Sequence, residues 1–473
     1  MSGSTVFSAL LLAFSVARAA AGSLSLAGIA SLPDPAGSMT PEAAWEAARA
    51  GAFQPLDGPR VHLGYTSTDH WFAIEIQGDR VPEEFVLEVC NPRLGEVTLF
   101  SPDGSGAFHA RAAGVRSPFW SREIHALAPA FRMAKPQDGP TRHLIRVRNQ
   151  GSMRFDLRLW DIPGYEWHKN VVFAAAIATG VALLVLALIN LCVYAHLRQP
   201  GYLWIALFLL ACTLRQMTAT GIANMFLWPD ASLWARNAMA LMSAGTIVFG
   251  ILMANNLLET RLRCPRWGRL QHTIAALATL AALLGLAGFP ESMYLLLAAG
   301  LVATLSVTAC AIHAATTGAQ SGLAFLLAWG LVLLGALLTN LAGPGLVPYN
   351  WVTEHLIDVA LLGAGLAWSF TLTGQIRVRQ EEQQRILAAR VGERTAELKH
   401  ALDTVRTLRG LLPICSCCKK IRDGRGDWQH VEAYLARHTE ADFSHGLCPE
   451  CAEEHYPKYF PPSPPLPQAP DAR

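Results

Sequence analysis

Charge is scarce in this sequence. Asp, Glu, Lys and Arg make up 16% of its 473 residues, against about 25% in an ordinary soluble domain, which excludes a chain that is soluble throughout. The net charge of +2 gives no global footprint for nucleic acid. Cysteine is missing from the first 165 residues except for Cys90, so no disulfide can form within that region. Lys and Arg are missing from 289–291 and 342–352. No phosphate-cradling Gly-rich loop, cyclase-type Gly-Gly-Asp/Glu-Glu-Phe signature or nucleophile elbow is present, which removes the commonest catalytic ends of signalling proteins.

Apolar length is abundant. Hydrophobic residues reach 52% and the mean hydropathy is +0.28. Seven apolar runs lie at roughly 171–194, 202–221, 233–256, 270–288, 292–315, 321–341 and 353–375. A bilayer core near 30 Å needs about 20 apolar residues of helix, because lipid cannot satisfy backbone groups. Runs such as Leu323-Ala-Phe-Leu-Leu-Ala-Trp-Gly-Leu-Val-Leu-Leu are apolar all round, unlike the one-sided helices of a soluble core. The reading is a seven-helix membrane bundle, with six or eight spans the alternatives.

Val6-Phe-Ser-Ala-Leu-Leu-Leu-Ala-Phe followed by Ala17-Arg-Ala-Ala-Ala has the form of a signal peptide over 1–21, although no Lys or Arg precedes it; a retained anchor is the alternative. Arg261, Arg263, Arg266 and Arg269 follow the third run, and Arg377, Arg379 and Arg385 follow the seventh. By the positive-inside rule these loops are cytoplasmic. The expected domains are a periplasmic β-sandwich sensor over 22–165, a membrane region over 166–375, a coiled-coil stalk over 376–412, a cytoplasmic four-cysteine module over 413–457 and a Pro-rich tail over 458–473. The expected location is a membrane crossed several times, with 22–165 exported and the C-terminus cytoplasmic.

Short β-prone segments, Trp71-Phe-Ala-Ile-Glu-Ile, Phe85-Val-Leu-Glu-Val, Val97-Thr-Leu-Phe, His143-Leu-Ile-Arg-Val-Arg and Phe155-Asp-Leu-Arg-Leu-Trp, alternate with turn formers and suggest an antiparallel sandwich. A helix is expected at about 41–50, capped by Thr40. Leu63-Gly-Tyr-Thr-Ser-Thr-Asp-His-Trp-Phe, Asn91-Pro-Arg-Leu-Gly-Glu-Val-Thr-Leu-Phe and Arg154-Phe-Asp-Leu-Arg-Leu-Trp, with seven spans behind them, resemble the bacterial seven-transmembrane receptors with diverse intracellular signalling modules. The resemblance covers roughly 25–375 and implies an all-β, jelly-roll-like ectodomain of carbohydrate-binding type. Tyr65, Trp71, Phe72 and Trp120 are candidate stacking faces for a small ligand, with sandwich core the plainer reading.

Arg215 and Asp358 are charges within spans, where charge is costly. Both fall near the outer ends of their spans and could pair to couple them; Arg236 is a rival partner for Asp358, and Arg215 could instead snorkel outward.

Beyond the seventh run, Leu387, Val391, Leu398, Ala401, Val405, Leu408 and Leu412 occupy a and d of one heptad register, with Arg394 the exception. That pattern suits a parallel homodimeric coiled coil, or one amphipathic helix packed on the following module. Cys415-Ser-Cys-Cys418 and Cys448-Pro-Glu-Cys451 form two C-x-x-C pairs 29 residues apart. Four thiolates on two such turns suit a structural tetrahedral Zn²⁺. His445 could substitute or support a ligand, Cys417 is a spare thiol, and a disulfide switch and plain buried cysteines are the competing readings. The stretch Leu411-Leu-Pro-Ile-Cys-Ser-Cys-Cys-Lys-Lys-Ile-Arg-Asp with Phe443-Ser-His-Gly-Leu-Cys-Pro-Glu-Cys resembles the short coiled-coil-linked cysteine module of bacterial signalling proteins, a small zinc-ribbon-like unit in which the four paired cysteines are the metal ligands.

The expected function is a non-enzymatic receptor in the lipid bilayer, sensing a small periplasmic ligand and docking a cytoplasmic signalling protein. A transporter or channel with accessory domains and a cytoplasmic metal or redox sensor are the alternatives.

Overall fold

The computed structural model describes residues 26–460, less 27, 57, 67, 104–106, 137–138, 150, 231, 290–291, 318–319, 343–346, 348–350, 407–411 and 440. The expected signal peptide and nearly all of the Pro-rich tail lie outside these residues.

The N-terminal region is an all-β sandwich. Its strands are β1 (Ile29–Asp34), β2 (Gln54–Leu56), β3 (Arg60–Thr66), β4 (Asp69–Ile76), β5 (Glu84–Val89), β6 (Glu96–Pro102), β7 (Phe108–Ala113), β8 (Ala130–Ala134), β9 (Thr141–Arg148) and β10 (Gly151–Asp161). One sheet has the order β2-β1-β4-β9-β6-β7 and the other β3-β10-β5-β8. Every pairing is antiparallel. Alternate side chains of β4, β5, β9 and β10 meet between the sheets, among them Phe72, Ile74, Phe85, Leu87, Ile145, Phe155 and Leu157.

The outward face of the six-stranded sheet is also partly dry. Helix α1 (Pro41–Arg49) starts where expected, the Ala43 N–H donating to Thr40 Oγ1 at 3.3 Å. Its Ala44 covers Trp71, Phe100 and Leu144. A strand sends neighbouring side chains to opposite faces; here both faces are covered, so Trp71 and Phe72 are each fully buried.

The helical region follows without a linker. Strand β10 ends at Asp161 and α2 (Ile162–Leu197) begins at the next residue, with Pro163 in its first turn. Then come α3 (Pro200–Ala219), the short α4 (Ile222–Phe226), α5 (Ser232–Leu257), the short α6 (Thr260–Arg263), α7 (Pro265–Leu286), α8 (Ser292–Thr316), α9 (Gln320–Ala342) and α10 (Trp351–Arg406). All seven expected runs are helices. Six are long and apolar enough to cross a membrane, while the apolar helix of α9 is described over a shorter stretch, Gly322–Leu338.

The bundle is dressed for lipid. Leu188, Ile189, Leu277, Leu280 and Leu327 point outward and are half exposed or more. Inside, Trp368 is fully buried against Phe208, Phe325 and Trp329. At Gly335 a Cβ would lie 2.8 Å from the Ile357 Cα, so only glycine lets α9 approach the α10 backbone this closely.

Residues from Arg379 onward form a second compact unit. Besides the remainder of α10 it holds a two-stranded ribbon, β11 (Ile421–Arg422) with β12 (Trp428–Gln429), and the helices α11 (Val431–His438) and α12 (Pro449–His455). Among the described residues of 413–460 only Ile421 and Ala452 are buried apolar side chains.

Candidate functional site

The aromatic candidates separate. Trp71 and Phe72 belong to the packed interior, so neither presents a ring face to a ligand, because α1 closes the face that sequence alternation left open. Burying a side chain of this size stabilises by roughly 2–3 kcal/mol, and core packing accounts for both. Tyr65 lies in β3 and its side chain is outside the described ones. Trp120 is 53% exposed, on a 3-10 turn, Phe119–Ser121, against the rings of Phe119 and His125.

The open part of the six-stranded sheet carries a polar lattice that sequence reasoning missed. Arg148 Nε donates to Asp69 Oδ2 at 2.7 Å, and Glu96 takes Arg148 at 3.6 Å and Arg146 at 3.4 Å. The Arg146 guanidinium lies over the Trp71 ring, 5.6 Å from its centre. The hydrogen bond to Asp69 holds the Arg148 guanidinium above its usual range against the cost of burial. These groups were invisible as a set because strand pairing across 79 residues brings Asp69 to Arg148.

The junction of sandwich and bundle is a second such place. Glu88 on β5 is buried, and its Oε2 accepts the Trp160 indole N–H at 2.8 Å. His168, two turns into α2, lies 3.5 Å from the same oxygen and stacks on Trp160 at 4.5 Å between centres. Burial opposes the charge on Glu88, but the hydrogen bonds from His168 and Trp160 and the Arg158 charge outweigh it and hold its carboxyl below the usual range. On the other side of the junction the Phe119 N–H donates to Pro229 O at 2.9 Å. Arg122, its value lowered by burial to about 10, donates to Gly114 O at 2.8 Å and covers the Phe119 ring. Gly221, with φ +85°, sits where a Cβ would be 3.2 Å from Leu127 O and 3.3 Å from the Pro92 Cβ. The loop after α3 is thereby seated on the underside of the sandwich.

Within the bundle, the expected Arg215–Asp358 ion pair is not formed. Asp358 is buried and its Oδ2 accepts from Gln216 Nε2 at 2.8 Å, with His355 Nδ1 at 3.8 Å. Successive helical residues differ by about 100° in direction, as 3.6 residues make one turn, so when Gln216 points at Asp358, Arg215 points away from it; it lines a cavity bounded by α5, α8, α9 and α10. The Arg236 side chain is outside the described ones. Two further bonds tie the span part of α10 to its neighbours: Tyr202 with Thr373 at 2.7 Å, and Ser369 to Asn190 at 3.0 Å. Three polar contacts thus bind the last span to the first two, each short in a setting without competing water.

The cysteine pairs keep local order. The Cys418 N–H donates to Cys415 Sγ at 3.5 Å, and the Cys451 N–H to Cys448 Sγ at 3.4 Å. These bonds draw the Cys415 and Cys448 thiols below their usual range. A turn that donates N–H to sulfur favours the thiolate a metal requires at Cys415 and Cys448, whereas the hydrogen bond and charge of Cys448 push the Cys451 thiol up; paired thiols are the donor type of a structural zinc site. No three His, Cys, Asp or Glu side chains converge as a metal group among the described residues, and His445 and Cys417 are exposed. On the stalk, Leu387, Val391 and Leu398 are each more than half exposed on the single chain.

A β-sandwich running directly into a bundle of membrane-length helices is an arrangement compatible with a membrane receptor. Two family models match it in succession: 7TMR-DISM extracellular 2 over residues 27–161, and 7TM diverse intracellular signalling over residues 173–375. The chain belongs to the seven-transmembrane receptors with diverse intracellular signalling modules. No curated protein matches it.

Proposed function

We propose that this receptor senses a small periplasmic ligand with its sandwich and passes the change through the junction to α10, the stalk and the cysteine module. It sits in the bacterial inner membrane with the sandwich outside and the C-terminus in the cytoplasm, an orientation favoured by the arginines that follow the third and seventh spans. The observation that carries the reading is the joint at Asp161–Ile162, where the last strand of the sandwich becomes the first span with no residue between them. A carbohydrate suits the open sheet face, where Asp69, Glu96, Arg146 and Arg148 offer a dense set of hydrogen-bonding groups. A glycan array probed with full-length protein in nanodiscs tests this: retention of a sugar by wild type and its loss in Glu96→Ala supports it, and no retained sugar rejects the carbohydrate assignment.

The stalk is a parallel homodimer in this reading, because an exposed Leu387–Val391–Leu398 stripe is satisfied by a second copy. A photoreactive residue placed at position 387 or 391 cross-links two chains in membranes. The same residue at 389, on the opposite side of the helix, does not. Equal yield at all three positions contradicts the pairing.

The module beyond the stalk has too few buried apolar residues to fold on hydrophobic burial alone. Cys415, Cys418, Cys448 and Cys451 would hold a structural Zn²⁺, which supplies the missing cross-link and no catalysis. The expected result is one zinc per chain, lost in Cys448→Ser together with capture of a cytoplasmic partner protein by the full-length receptor. Zinc-free wild-type protein that still captures the partner contradicts it.

A further inference from the structure

Beneath the sandwich lies a cavity of about 1040 Å³ that the receptor reading leaves unused. Its roof comes from the sandwich and contains Arg93, Arg116 and Arg154; Arg215 lines its wall; no carboxylate lines it among the described residues. The three roof arginines are also held by contacts within the fold. Among the described residues no carboxylate is paired with Arg215, and Asp358 is taken up by Gln216 and His355. Below the roof the character changes. Facing side chains of α5, α8 and α9, such as Met239, Leu297, Leu301 and Leu337, make an apolar sleeve. A smaller cavity of about 140 Å³ shares Arg215, Thr246, Ile247, Gly300 and Thr304 with it and is otherwise lined almost wholly by apolar residues.

A cationic roof over an apolar sleeve matches one chemistry, a molecule with an anionic head and a hydrocarbon tail. The volume is at the top of the range for small-molecule pockets, roughly 300–1,000 Å³, and far exceeds what a bare inorganic anion fills. Along α8 the lining runs from Met293 to Leu305, roughly 18 Å at 1.5 Å per residue. That is a little over half of a hydrocarbon core of about 30 Å, the reach of one acyl chain in one leaflet. An arginine inside a membrane span is costly unless a counter-charge or water reaches it, and an anionic head would supply that charge to Arg215 through a two-pronged hydrogen bond.

We propose that this cavity binds a single-chain anionic amphiphile, its carboxylate or phosphate on Arg215 under the sandwich roof and its tail between α5, α8 and α9. Such a ligand would touch the sandwich, the loop-bearing span α3 and the spans beside it at once, so its presence would set how firmly they are joined. The site stands apart from whatever the open sheet face binds, and its test uses different residues.

Full-length protein in nanodiscs of zwitterionic phospholipid is labelled with hexadecanoic acid carrying a photoreactive group at its tail end. The expected adducts fall within 239–247 and 293–305. Hexadecanoate and hexadecyl phosphate compete, and their ratio identifies the preferred head; hexadecanol competes about tenfold less well or worse, the worth of one charge-assisted bond. Arg215→Gln reduces labelling about tenfold, and Ser243→Phe, which fills the sleeve, abolishes it in protein that melts as wild type does. Adducts spread over lipid-facing residues such as Leu188 and Leu280 overturn the proposal. So does equal competition by hexadecanol, or unchanged labelling of both variants. Displacement by phosphatidylglycerol but not by hexadecanoate or hexadecyl phosphate overturns it in favour of a two-chain lipid.

Discussion

Glu88→Ala costs the full-length receptor about 3 kcal/mol of stability, the upper end of what is lost with a hydrogen bond to a charged group. The substitution leaves the Trp160 indole N–H and the His168 ring without their shared acceptor in a site closed to water. Glu88→Gln keeps an oxygen for Trp160 and loses less, about 1 kcal/mol. The pH dependence has a definite sign. The Glu88 carboxyl is held below its usual range, so its contribution is complete above the unfolded-state value of about 4.3. It is lost as pH falls through the lower folded-state value. Acidification therefore removes more stability from wild type than from Glu88→Gln, and thermal melts of both in nanodiscs read the difference. Parallel loss in the two proteins would show that Glu88 is not a buried anion.

Gln216→Leu has an effect of similar size, about 3 kcal/mol, because it strips the buried Asp358 carboxylate of its amide donor. The other carboxylate oxygen, Oδ1, already lacks a partner. Replacing both, Gln216→Leu with Asp358→Leu, restores most of the loss, since two apolar side chains fill the site without a stranded charge. A double-mutant cycle separates this pair from the one first expected. Coupling between 216 and 358 is about 2 kcal/mol, and between 215 and 358 within about 0.5 kcal/mol of zero. A large 215–358 coupling would restore the ion pair that the geometry denies.

How far the fold was legible depended on the period of each pattern. The spans were plain because twenty apolar residues in a row have few other uses, and all seven runs became helices at nearly the expected positions. Five strands, in β4, β5, β6, β9 and β10, were readable from alternation. Others were not: β1 contains Pro33, β2 is three residues long, and β7 reads Phe-His-Ala-Arg-Ala-Ala, with no apolar alternation to betray it. Asp358 stood out as a charge in a span, yet its partner could not be told from one sequence, because a single residue of helical phase exchanges Arg215 for Gln216. Trp71 and Phe72 illustrate a different limit. Alternation said that they face opposite ways, but whether the outer face was wet depended on where α1 would lie, and that is a tertiary fact. Glu88, Trp160 and His168 carried no local signal at all. They are 72 and 80 residues apart along the chain from Glu88, and a mark of their association would be a carboxylate in an otherwise apolar strand, Phe85-Val-Leu-Glu-Val.

The proposed relay makes the junction the place where a change in the sandwich reaches the last span. Hydrogen exchange on full-length receptor in nanodiscs, wild type against Glu88→Gln, tests that claim most directly. The relay predicts that loosening the joint speeds exchange beyond the sandwich, in the loop after α3, residues 219–231, and in the span part of α10, residues 355–378. Faster exchange confined to residues 84–168, with 219–231 and 355–378 unchanged, would contradict it.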